Sequence, residues 1–215
     1  MKPRALDTFC GAGGVTVGLQ RAGFHVTGVD NRPQPRYPGE CFRIADALKY
    51  IEQHGREYDF IWASPPCQAY SIASLSQRNA GKKYPDLLAP ARERLKSCGI
   101  PYVIENVPGA PMRADLILCG SLFGLRLIRH RWFEMGFDGF ALVSPCQHHP
   151  IPVTVTGGGT PSWSLRKNGG KCFSVKENRE AMGINWMNSY ELGEAIPPAY
   201  SEFIGRQFLV SHGLN

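Results

Sequence analysis

Residues 5–14, ALDTFCGAGG, begin the pattern that decides the fold of this chain. The apolar start predicts a strand over Ala5 to Phe9, and the glycines that follow open a helix over Val15 to Ala22. A second strand is predicted from Phe24 to Asp30, so that it ends in an acidic residue. A strand, a glycine turn, a helix and a strand ending in an acid form the βαβ unit with which α/β domains bind nucleosides.

Predicted strands and helices continue to alternate beyond this unit. Alternation of this kind predicts a Rossmann-like, doubly wound and mostly parallel sheet with helices on both faces. Residues 71–84 are polar and basic without periodicity, so we expect a mobile loop there. The further predicted elements are a short strand near Phe42 to Ala45, a helix over Ala47 to His54, a strand over Tyr58 to Ala63, a helix over Asp86 to Cys98 and a strand over Tyr102 to Ile104.

The chain after Glu105 is too interrupted for another crossover helix. Pro108, Gly109 and Pro111 break the stretch that leads to Arg129, so we expect irregular chain there. The later elements that we expect are strands around Leu116 to Leu118 and Trp132 to Phe137, and helices over Lys176 to Met182, Asn188 to Ala195 and Ala199 to Val210.

Length and composition fit one main domain with a small insertion. The chain has 215 residues, 43% of them hydrophobic, which is enough for one well-buried core. We assign residues 1–137 to this core and residues 176–215 to C-terminal helices that return to it. Residues 138–175 change character, with an alternating stretch over Val153 to Thr156, three successive glycines and frequent serine and lysine, and we interpret them as an insertion.

Charge and cysteine content narrow the class of protein. Lys and Arg number 24 against 18 Asp and Glu, a net charge of +6, and the basic clusters fit a polyanion as well as a solvated surface. There is no secretory segment and no run long enough for a membrane span, so we expect a cytoplasmic protein. Separately, we expect the protein to be a monomer. The seven cysteines are widely spaced, which favours free thiols.

Zinc-capable residue types occur in the insertion. They are Cys146, His148, His149 and Cys172. Their spacing matches no strong zinc pattern, and ordinary packing or nucleic-acid contact explains them equally well. We therefore assign no metal site from the sequence.

The stretch SPPCQ, residues 64–68, presents a thiol at the end of a predicted buried strand. Enzymes with α/β folds keep their functional residues at this edge of the sheet. Two prolines stiffen the approach to Cys67 and remove two backbone donors, which suits a turn that fixes one side chain. Cys67 is a candidate nucleophile, although a buried structural thiol is also compatible with this motif alone.

Five motifs occur in a characteristic order along the chain. The glycine loop, the Pro-Cys motif, ENV at residues 105–107, RHR at 129–131 and GEAIPP at 193–198 resemble in this order the motifs of the cytosine-5 DNA methyltransferases. The resemblance spans residues 4–209 apart from a middle segment. It implies the methyltransferase fold, methyl transfer to carbon 5 of a flipped-out cytosine in double-stranded DNA, and a target-recognition role for the insertion. Two residues depart from the family pattern: Leu127 replaces a glutamine, and Glu194 replaces an asparagine.

The resemblance implies four catalytic residues. Cys67 adds to carbon 6 of cytosine, and Glu105, kept protonated in a water-poor pocket, donates at ring nitrogen 3. Arg131 grips the carbonyl oxygen of the base, and Arg129 supports Glu105 or the catalytic loop. Because the two arginines alternate on a predicted strand, we expect both to face one side.

The resemblance also implies S-adenosylmethionine as the cofactor. Asp30 is expected on the ribose hydroxyls, Asp46 on the adenine amino group and Leu87 in the adenine pocket. A glycine loop alone fits NAD or simple turn chemistry as well. The candidate cofactor-binding residues are Phe9, Cys10, Gly11, Ala12, Gly13, Gly14, Asp30, Asn31, Asp46, Ala47, Pro65 and Leu87. The candidate substrate-binding residues are Gln68, Ser71, Arg78, Lys82, Lys83, Arg166 and Lys167, and residues 71–84 are expected to close on DNA as a lid.

Two alternative functions remain open at this point. The same chemistry serves RNA cytosine-5 methyltransferases, including those that act on tRNA. A catalytically silent nucleic-acid-binding protein could keep the same fold, although retention of Cys67, Glu105 and both arginines argues against it. The compact size is associated with phage or mobile-element proteins.

Overall fold

The computed structural model describes residues 2–139, 143–148, 150–155 and 173–214. Within them the strands are β1 (Arg4–Thr8), β2 (His25–Asp30), β3 (Cys41–Ile44), β4 (Phe60–Ala63), β5 (Tyr102–Asn106), β6 (Leu116–Leu118) and β7 (Arg131–Met135). The α-helices are α1 (Gly14–Ala22), α2 (Ala47–His54), α3 (Leu75–Asn79), α4 (Leu88–Cys98), α5 (Val175–Met182), α6 (Ser189–Glu194) and α7 (Pro198–Ser211). Short 3₁₀ turns occupy Gly55–Glu57, Ile72–Ser74 and Gly120–Phe123.

The strands form one sheet in the order β3-β2-β1-β4-β5-β7-β6. The first five are parallel, and β7 runs antiparallel to both β5 and β6. The strand order reverses at β1, which has β2 on one side and β4 on the other, and open α/β sheets bind ligands at the carboxyl edge of such a switch point. The predicted doubly wound, mostly parallel sheet is confirmed.

Apolar side chains cover both faces of the sheet. On β4, Phe60 and Trp62 join the layer that contains α1 and α7, whereas Ile61 and Ala63 join the layer of α2 and α4. This division follows the period of two of a strand. All four side chains are fully buried, and a buried phenylalanine alone contributes roughly 1.5–3 kcal/mol. The core therefore holds the carboxyl ends of the central strands in fixed positions.

Helices α1 and α7 pack at very close range. A Cβ at Gly18 of α1 would lie 2.1 Å from the carbonyl oxygen of Pro198, so only glycine fits there. Nearby, the Ser201 hydroxyl donates to the Val15 carbonyl oxygen at 3.0 Å. The helix that follows the last sequence motif is thus fastened to the helix that follows the first.

A smaller apolar cluster joins the glycine loop to the C-terminal helices. Val153 and Val155 pack there with Ala12 and Met182. Val153 also forms an isolated bridge with Leu127. This bridge lies in the alternating stretch over residues 153–156, which the structure describes up to residue 155. Residues 156–172 lie outside the described residues, and the division of the chain at residues 138 and 175 stays a prediction.

The expected irregular loop over residues 71–84 is partly wrong. It contains the 3₁₀ turn Ile72–Ser74 and α3. Arg78 of α3 explains the order, because its Nη1 donates to the carbonyl oxygens of Gln68 (2.8 Å) and Ser71 (2.7 Å). Polar contacts with the preceding turn stabilise this helix, and such contacts leave no apolar periodicity in the sequence.

Two further features of the described residues bear on the class of protein. The six cysteines among them are free thiols, as their wide spacing predicts. None of the described helices combines the length and apolar character that a bilayer crossing requires.

Candidate active site

The nucleophile loop, residues 64–71, begins where β4 ends. Asn106, the last residue of the neighbouring β5, donates from Nδ2 to the Pro65 carbonyl oxygen at 3.0 Å. Its Oδ1 accepts from the Val107 N–H at 2.9 Å, which fixes the amide. The Cys67 carbonyl oxygen accepts from the N–H groups three and four residues further along, both at 2.9 Å. Hydrogen bonds therefore hold the chain on both sides of Cys67.

Glu105 of β5 and Arg131 of β7 form a buried ion pair beside this loop. Arg131 Nε lies 3.0 Å from Glu105 Oε1, and the two side chains are only 13% and 6% exposed. In the antiparallel pairing of β5 with β7, Glu105 stands opposite Phe133, and Arg131 lies two residues before Phe133 on the same face of β7. The pairing therefore brings the side chains of Glu105 and Arg131 together. Ser64, the first residue of the nucleophile loop, lowers the pKa of Glu105 and so lies beside it. Glu105 thus lies between the sheet and the loop that carries Cys67.

Burial dominates the electrostatics of the site. It raises the pKa of Glu105, and the positive charges of Arg131 and Arg129 offset only part of this effect. Burial also raises the pKa of the Cys67 thiol, which the two arginines lower and Glu105 raises further. Because each charge acts on the thiol, the four predicted catalytic residues lie within electrostatic range of one another. The resting site holds a protonated thiol next to a carboxyl group that binds its proton unusually well.

Arg129 is buried against the C-terminal part of the chain. Its guanidinium donates to the carbonyl oxygens of Gly193 (2.6 Å) and Val155 (3.2 Å), while its Nε has no hydrogen-bond partner among the described residues. Burial and the charge of Arg131 lower its pKa to about 9. Arg129 therefore ties the catalytic edge of the sheet to the last sequence motif and keeps one donor unsatisfied.

The two arginines differ from their expected arrangement. Strand β7 begins at Arg131, so Arg129 lies before it instead of on it. The reason is that the Arg129 carbonyl oxygen accepts from the Tyr200 hydroxyl at 2.7 Å instead of joining a sheet ladder. The direct partner of Glu105 is Arg131, whereas the resemblance implies a supporting role for Arg129.

The glycine loop, residues 9–14, turns sharply after β1. Phe9 has a φ of +58°, a rare backbone conformation for an aromatic residue, and Gly11 has a φ of +49°. A Cβ at Gly11 would meet no described atom within 4 Å, so this position faces open space. By contrast, a Cβ at Gly14 would lie 2.4 Å from the Ile196 carbonyl oxygen. Part of the loop serves internal packing, and the part around Gly11 is open to a ligand.

Asp30 and Asp46 stand at the expected edge of the sheet, and both already accept hydrogen bonds from the backbone. Asp30 accepts from the Gly11 N–H at 3.0 Å and from the Arg32 N–H at 3.1 Å. Asp46 is the N-cap of α2 and accepts from the Lys49 N–H at 3.0 Å. A carboxylate oxygen can accept two hydrogen bonds, so these contacts leave acceptor capacity for a ligand.

This acceptor set fits S-adenosylmethionine. A nucleoside needs acceptors for its ribose hydroxyls and adenine amino group, together with a close backbone approach. Asp30, Asp46 and the open face of Gly11 supply these features. Of the other candidates, Cys10, Ala12, Gly13, Ala47 and Pro65 are buried, Leu87 is half-buried and Asn31 is exposed.

The substrate candidates divide into two groups. Arg78 donates to carbonyl oxygens of the nucleophile loop, so its role as a substrate contact stays a prediction, and Ser71 is buried. Lys82 and Lys83 are exposed. Arg166 and Lys167 lie outside the described residues.

Glu194, one of the departures from the family pattern, lies beside the nucleophile loop. Its Oε1 accepts from Gln68 Nε2 at 3.4 Å and from the Tyr190 hydroxyl at 3.2 Å. Gln68 is thereby linked to α6. The other departure, Leu127, is buried and pairs with Val153, so an apolar contact occupies this position.

Two contacts of the site were not anticipated from the sequence. Asn106 belongs to the ENV motif, but its bond to Pro65 depends on the neighbouring strand and could be suspected only from its strand-end position. Trp186 donates from Nε1 to the Ala12 carbonyl oxygen at 2.7 Å and so braces the glycine loop from a distant segment. No sequence signal points to that contact.

A sheet whose final strands include one reversed strand, with a glycine turn after β1 and a cysteine after β4, defines a Rossmann-like methyltransferase. A family model described as C-5 cytosine-specific DNA methylase matches residues 4–112, and the chain belongs to this family. The Type II methyltransferase M.HgiDI of Herpetosiphon aurantiacus is 28% identical over 163 residues, which cover 62% of this chain. The match covers 52% of that relative, so the chain spans about half the length of the curated relative that it matches.

Solved structures share the fold over the whole chain. One, described as a DNA modification methyltransferase encoded within an E. coli prophage, has a TM-score of 0.66 at 16% identity, with 98% of this chain and 99% of that chain covered. The Dnmt2 methyltransferase of S. pombe has a TM-score of 0.62 at 15% identity, with 100% of both chains covered. The methyltransferase EhMeth of Entamoeba histolytica has a TM-score of 0.60 at 13% identity, with 99% of both covered.

Proposed function

We propose that this protein is a DNA cytosine-5 methyltransferase that moves a methyl group from S-adenosylmethionine to carbon 5 of cytosine through a covalent adduct with Cys67. The observation that carries the proposal is the buried Glu105–Arg131 pair, 3.0 Å long, beside the loop that presents Cys67. A thiol and a carboxyl group whose pKa is raised by burial are the two groups that addition to a pyrimidine ring requires.

The reaction begins at Cys67. Its thiol passes its proton to water, and the sulfur bonds to carbon 6 of the ring, which pushes an electron pair toward ring nitrogen 3. That nitrogen takes the proton of Glu105, so carbon 5 becomes an enamine carbon that would take the methyl group, with S-adenosylhomocysteine as the leaving group of a bound cofactor. Loss of the carbon 5 proton to water then expels the Cys67 thiolate and restores the ring double bond, and ring nitrogen 3 returns its proton to Glu105.

Arg131 and Arg129 position the cytosine base and the Glu105 carboxyl group relative to each other. Arg131 binds Glu105 through Nε and its own chain at the His130 carbonyl oxygen through Nη1, at 2.8 Å, which leaves guanidinium donors for the carbonyl oxygen of cytosine. The Nε of buried Arg129, which has no hydrogen-bond partner in the part of the chain that the structure describes, offers a further donor in the same region. Two buried guanidinium groups also favour the thiolate form of Cys67.

The glycine loop, Asp30 and Asp46 hold the cofactor. When bound, S-adenosylmethionine supplies an electrophilic methyl group on a sulfonium centre. Asp30 accepts from the ribose hydroxyls, Asp46 from the adenine amino group, and the open face of Gly11 permits close approach of the backbone.

Double-stranded DNA is the proposed substrate, bound by a monomer inside the cell. Carbon 5 is inaccessible to an in-plane thiol in a duplex, so the cytosine must rotate into the site. The net charge of +6 and the exposed Lys82 and Lys83 favour a phosphate backbone. Residues 71–84, anchored at Arg78, form the lid, and residues 138–175 read the target sequence.

Methyl incorporation tests the function. The purified protein, given radiolabelled S-adenosylmethionine, is expected to label duplex DNA, and Cys67→Ala is expected to lower this labelling below detection while the variant stays folded. Cys41→Ala is the matched control, because Cys41 is a partly exposed thiol on the edge strand β3. Labelling of structured RNA alone would support the RNA alternative, and a failure to label either polymer would favour the silent nucleic-acid-binding protein.

A covalent trap tests the mechanism. DNA with 5-fluorocytosine cannot lose its carbon 5 substituent after methylation, so the wild-type protein should form a denaturant-stable adduct with it. The adduct should form in Cys41→Ala and be absent in Cys67→Ala. An adduct in Cys67→Ala would show that another residue is the nucleophile.

A further inference from the structure

Four side chains with metal-ligating atoms lie together outside the active site. Their ligand atoms, two sulfurs and two ring nitrogens, all lie within 4.8 Å of one another. Cys119 follows β6 directly, and His130 precedes β7 directly. The other two come from the described segment 143–148. The cluster consists of Cys119, His130, Cys146 and His148.

Two distances within the cluster match those between the ligand atoms of a tetrahedral site. Cys119 Sγ lies 3.5 Å from His148 Nε2, and Cys146 Sγ lies 3.5 Å from His130 Nε2. Zinc–sulfur bonds of about 2.3 Å and zinc–nitrogen bonds of about 2.0–2.1 Å in a tetrahedron place neighbouring ligand atoms about 3.3–3.8 Å apart. The two imidazole rings stand 5.2 Å apart at 72°, so they converge without stacking.

The donor set selects the metal class. Two thiolates and two neutral imidazoles are a typical zinc set, and the two thiolate charges balance a divalent cation. Four protein ligands leave no open position, which is the arrangement of a structural site and not of a catalytic one. Cys119 is buried while Cys146 and His148 are exposed, so the ion would sit at the surface with one anchor in the core.

We propose that Cys119, His130, Cys146 and His148 bind a zinc ion that fastens segment 143–148 to the β6–β7 edge of the sheet. His130 stands between Arg129 and Arg131, so the same ion holds the backbone from which both catalytic arginines extend. The sequence alone did not indicate this four-residue site. Cys119 and His130 lie outside the insertion, and the spacing of the four residues along the chain follows no zinc motif. His149 and Cys172, the other zinc-capable residues, lie outside the described residues.

Metal analysis of the whole chain, purified without a histidine tag from zinc-supplied cells, tests the proposal. We expect about one zinc per chain in the wild-type protein and in the control Cys41→Ala. We expect loss of zinc in Cys146→Ala and in His148→Ala, whose exposed positions allow the core to fold. Zinc-free wild-type protein, or full zinc content in Cys146→Ala, would overturn the proposal.

Two further measurements separate zinc binding from a merely packed cluster. Cobalt substitution should give the intense visible bands of a tetrahedral thiolate complex in the wild-type protein and none in Cys146→Ala. A chelator should lower the Tm of the wild-type protein and leave that of Cys146→Ala unchanged. A Cys119–Cys146 disulfide found by mass spectrometry in freshly purified protein would contradict the site. None of these readouts depends on methyl transfer, so the proposal can fail independently of the proposed function.

Discussion

The base side and the cofactor side of the proposed active site are built in different ways. On the base side, Glu105 and Arg131 form an ion pair, and the charges of both act on the nearby Cys67 thiol. On the cofactor side, Asp30 and Asp46 each also hold the backbone of the protein itself. A side chain whose bonds are to other side chains of the site is expected to affect the rate more than the stability, whereas one that also bonds the backbone is expected to affect both.

This contrast determines how substitutions should be interpreted. A variant on the base side is expected to change the rate far more than the stability. A variant on the cofactor side is expected to change both, and only an isosteric replacement can separate them. The following variants test this difference, beginning with the largest expected effect.

Glu105→Gln should reduce methyl transfer by about 10²–10⁴-fold, because an amide cannot donate a proton to ring nitrogen 3. The activity of the wild-type protein should also fall as pH rises through the raised pKa of Glu105, since the carboxyl group donates only when protonated. The groups that face it are Ser64, Cys67, Arg129 and Arg131. Rates across a pH series, with folding followed by circular dichroism, measure both effects.

Glu134→Gln is the matched control for this variant. Glu134 lies on β7, is also buried, and pairs with Arg92 at 2.8 Å away from the nucleophile loop. Its substitution should lower stability while leaving the rate per folded molecule near that of the wild-type protein. If Glu105→Gln and Glu134→Gln lost the same rate, Glu105 would contribute to activity only through folding.

Asp46→Ala should weaken S-adenosylmethionine binding by about 1–3 kcal/mol through one lost charged hydrogen bond. It should also destabilise the protein by about 0.5–2 kcal/mol, because the N-cap of α2 is lost. Asp46→Asn keeps a capping oxygen, so it should retain stability and still bind the cofactor less tightly. Calorimetric titration and thermal unfolding separate the two. Wild-type affinity in Asp46→Asn would leave Asp46 as a helix cap alone.

Asp7 provides a test by stability alone, on the cofactor side below the glycine loop. Burial raises its pKa from 3.8 to about 7, against the bond from the Thr16 hydroxyl. Between these values the unfolded chain releases the proton and the folded chain keeps it. The stability contributed by Asp7 is therefore complete below about pH 4 and is lost as pH rises toward 7.

Asp7→Asn removes this dependence, because an amide stays neutral and can still accept from Thr16. Its stability relative to the wild-type protein should rise by about 1.4 kcal/mol per pH unit between pH 4.5 and 6.5 and then level off. Urea unfolding at several pH values measures the difference. Parallel stability curves for the two proteins would contradict the raised pKa.

Local sequence patterns predicted most of the fold. The strands and helices of the parallel half have apolar periods and glycine turns, and their order specifies the sheet. Cys67 and Glu105 could be placed because each follows or ends a buried strand, and β4 and β5 are neighbours. The helix expected from Asn188 to Ala195 is likewise present as α6, and Asn188 and Glu191 form a capping box at its start.

Features that depend on distant segments could not be predicted. Arg129 binds Gly193 and Val155, and neither contact leaves a trace in the residues near Arg129. Helix α3 depends on the carbonyl oxygens that Arg78 binds, which no apolar pattern indicates. The Cys and His cluster draws its ligands from three separate segments, so spacing along the chain conceals it.

The close contact between α1 and α7 affects how the protein is made. Helix α7 is synthesised after every strand of the sheet, yet its Phe208 ring lies 4.7 Å from that of Phe60 and 5.9 Å from that of Phe24. Until α7 leaves the ribosome, this aromatic face of the sheet lacks its cover. A nascent chain in which this face has formed therefore exposes apolar surface until α7 is complete, and such surface promotes aggregation.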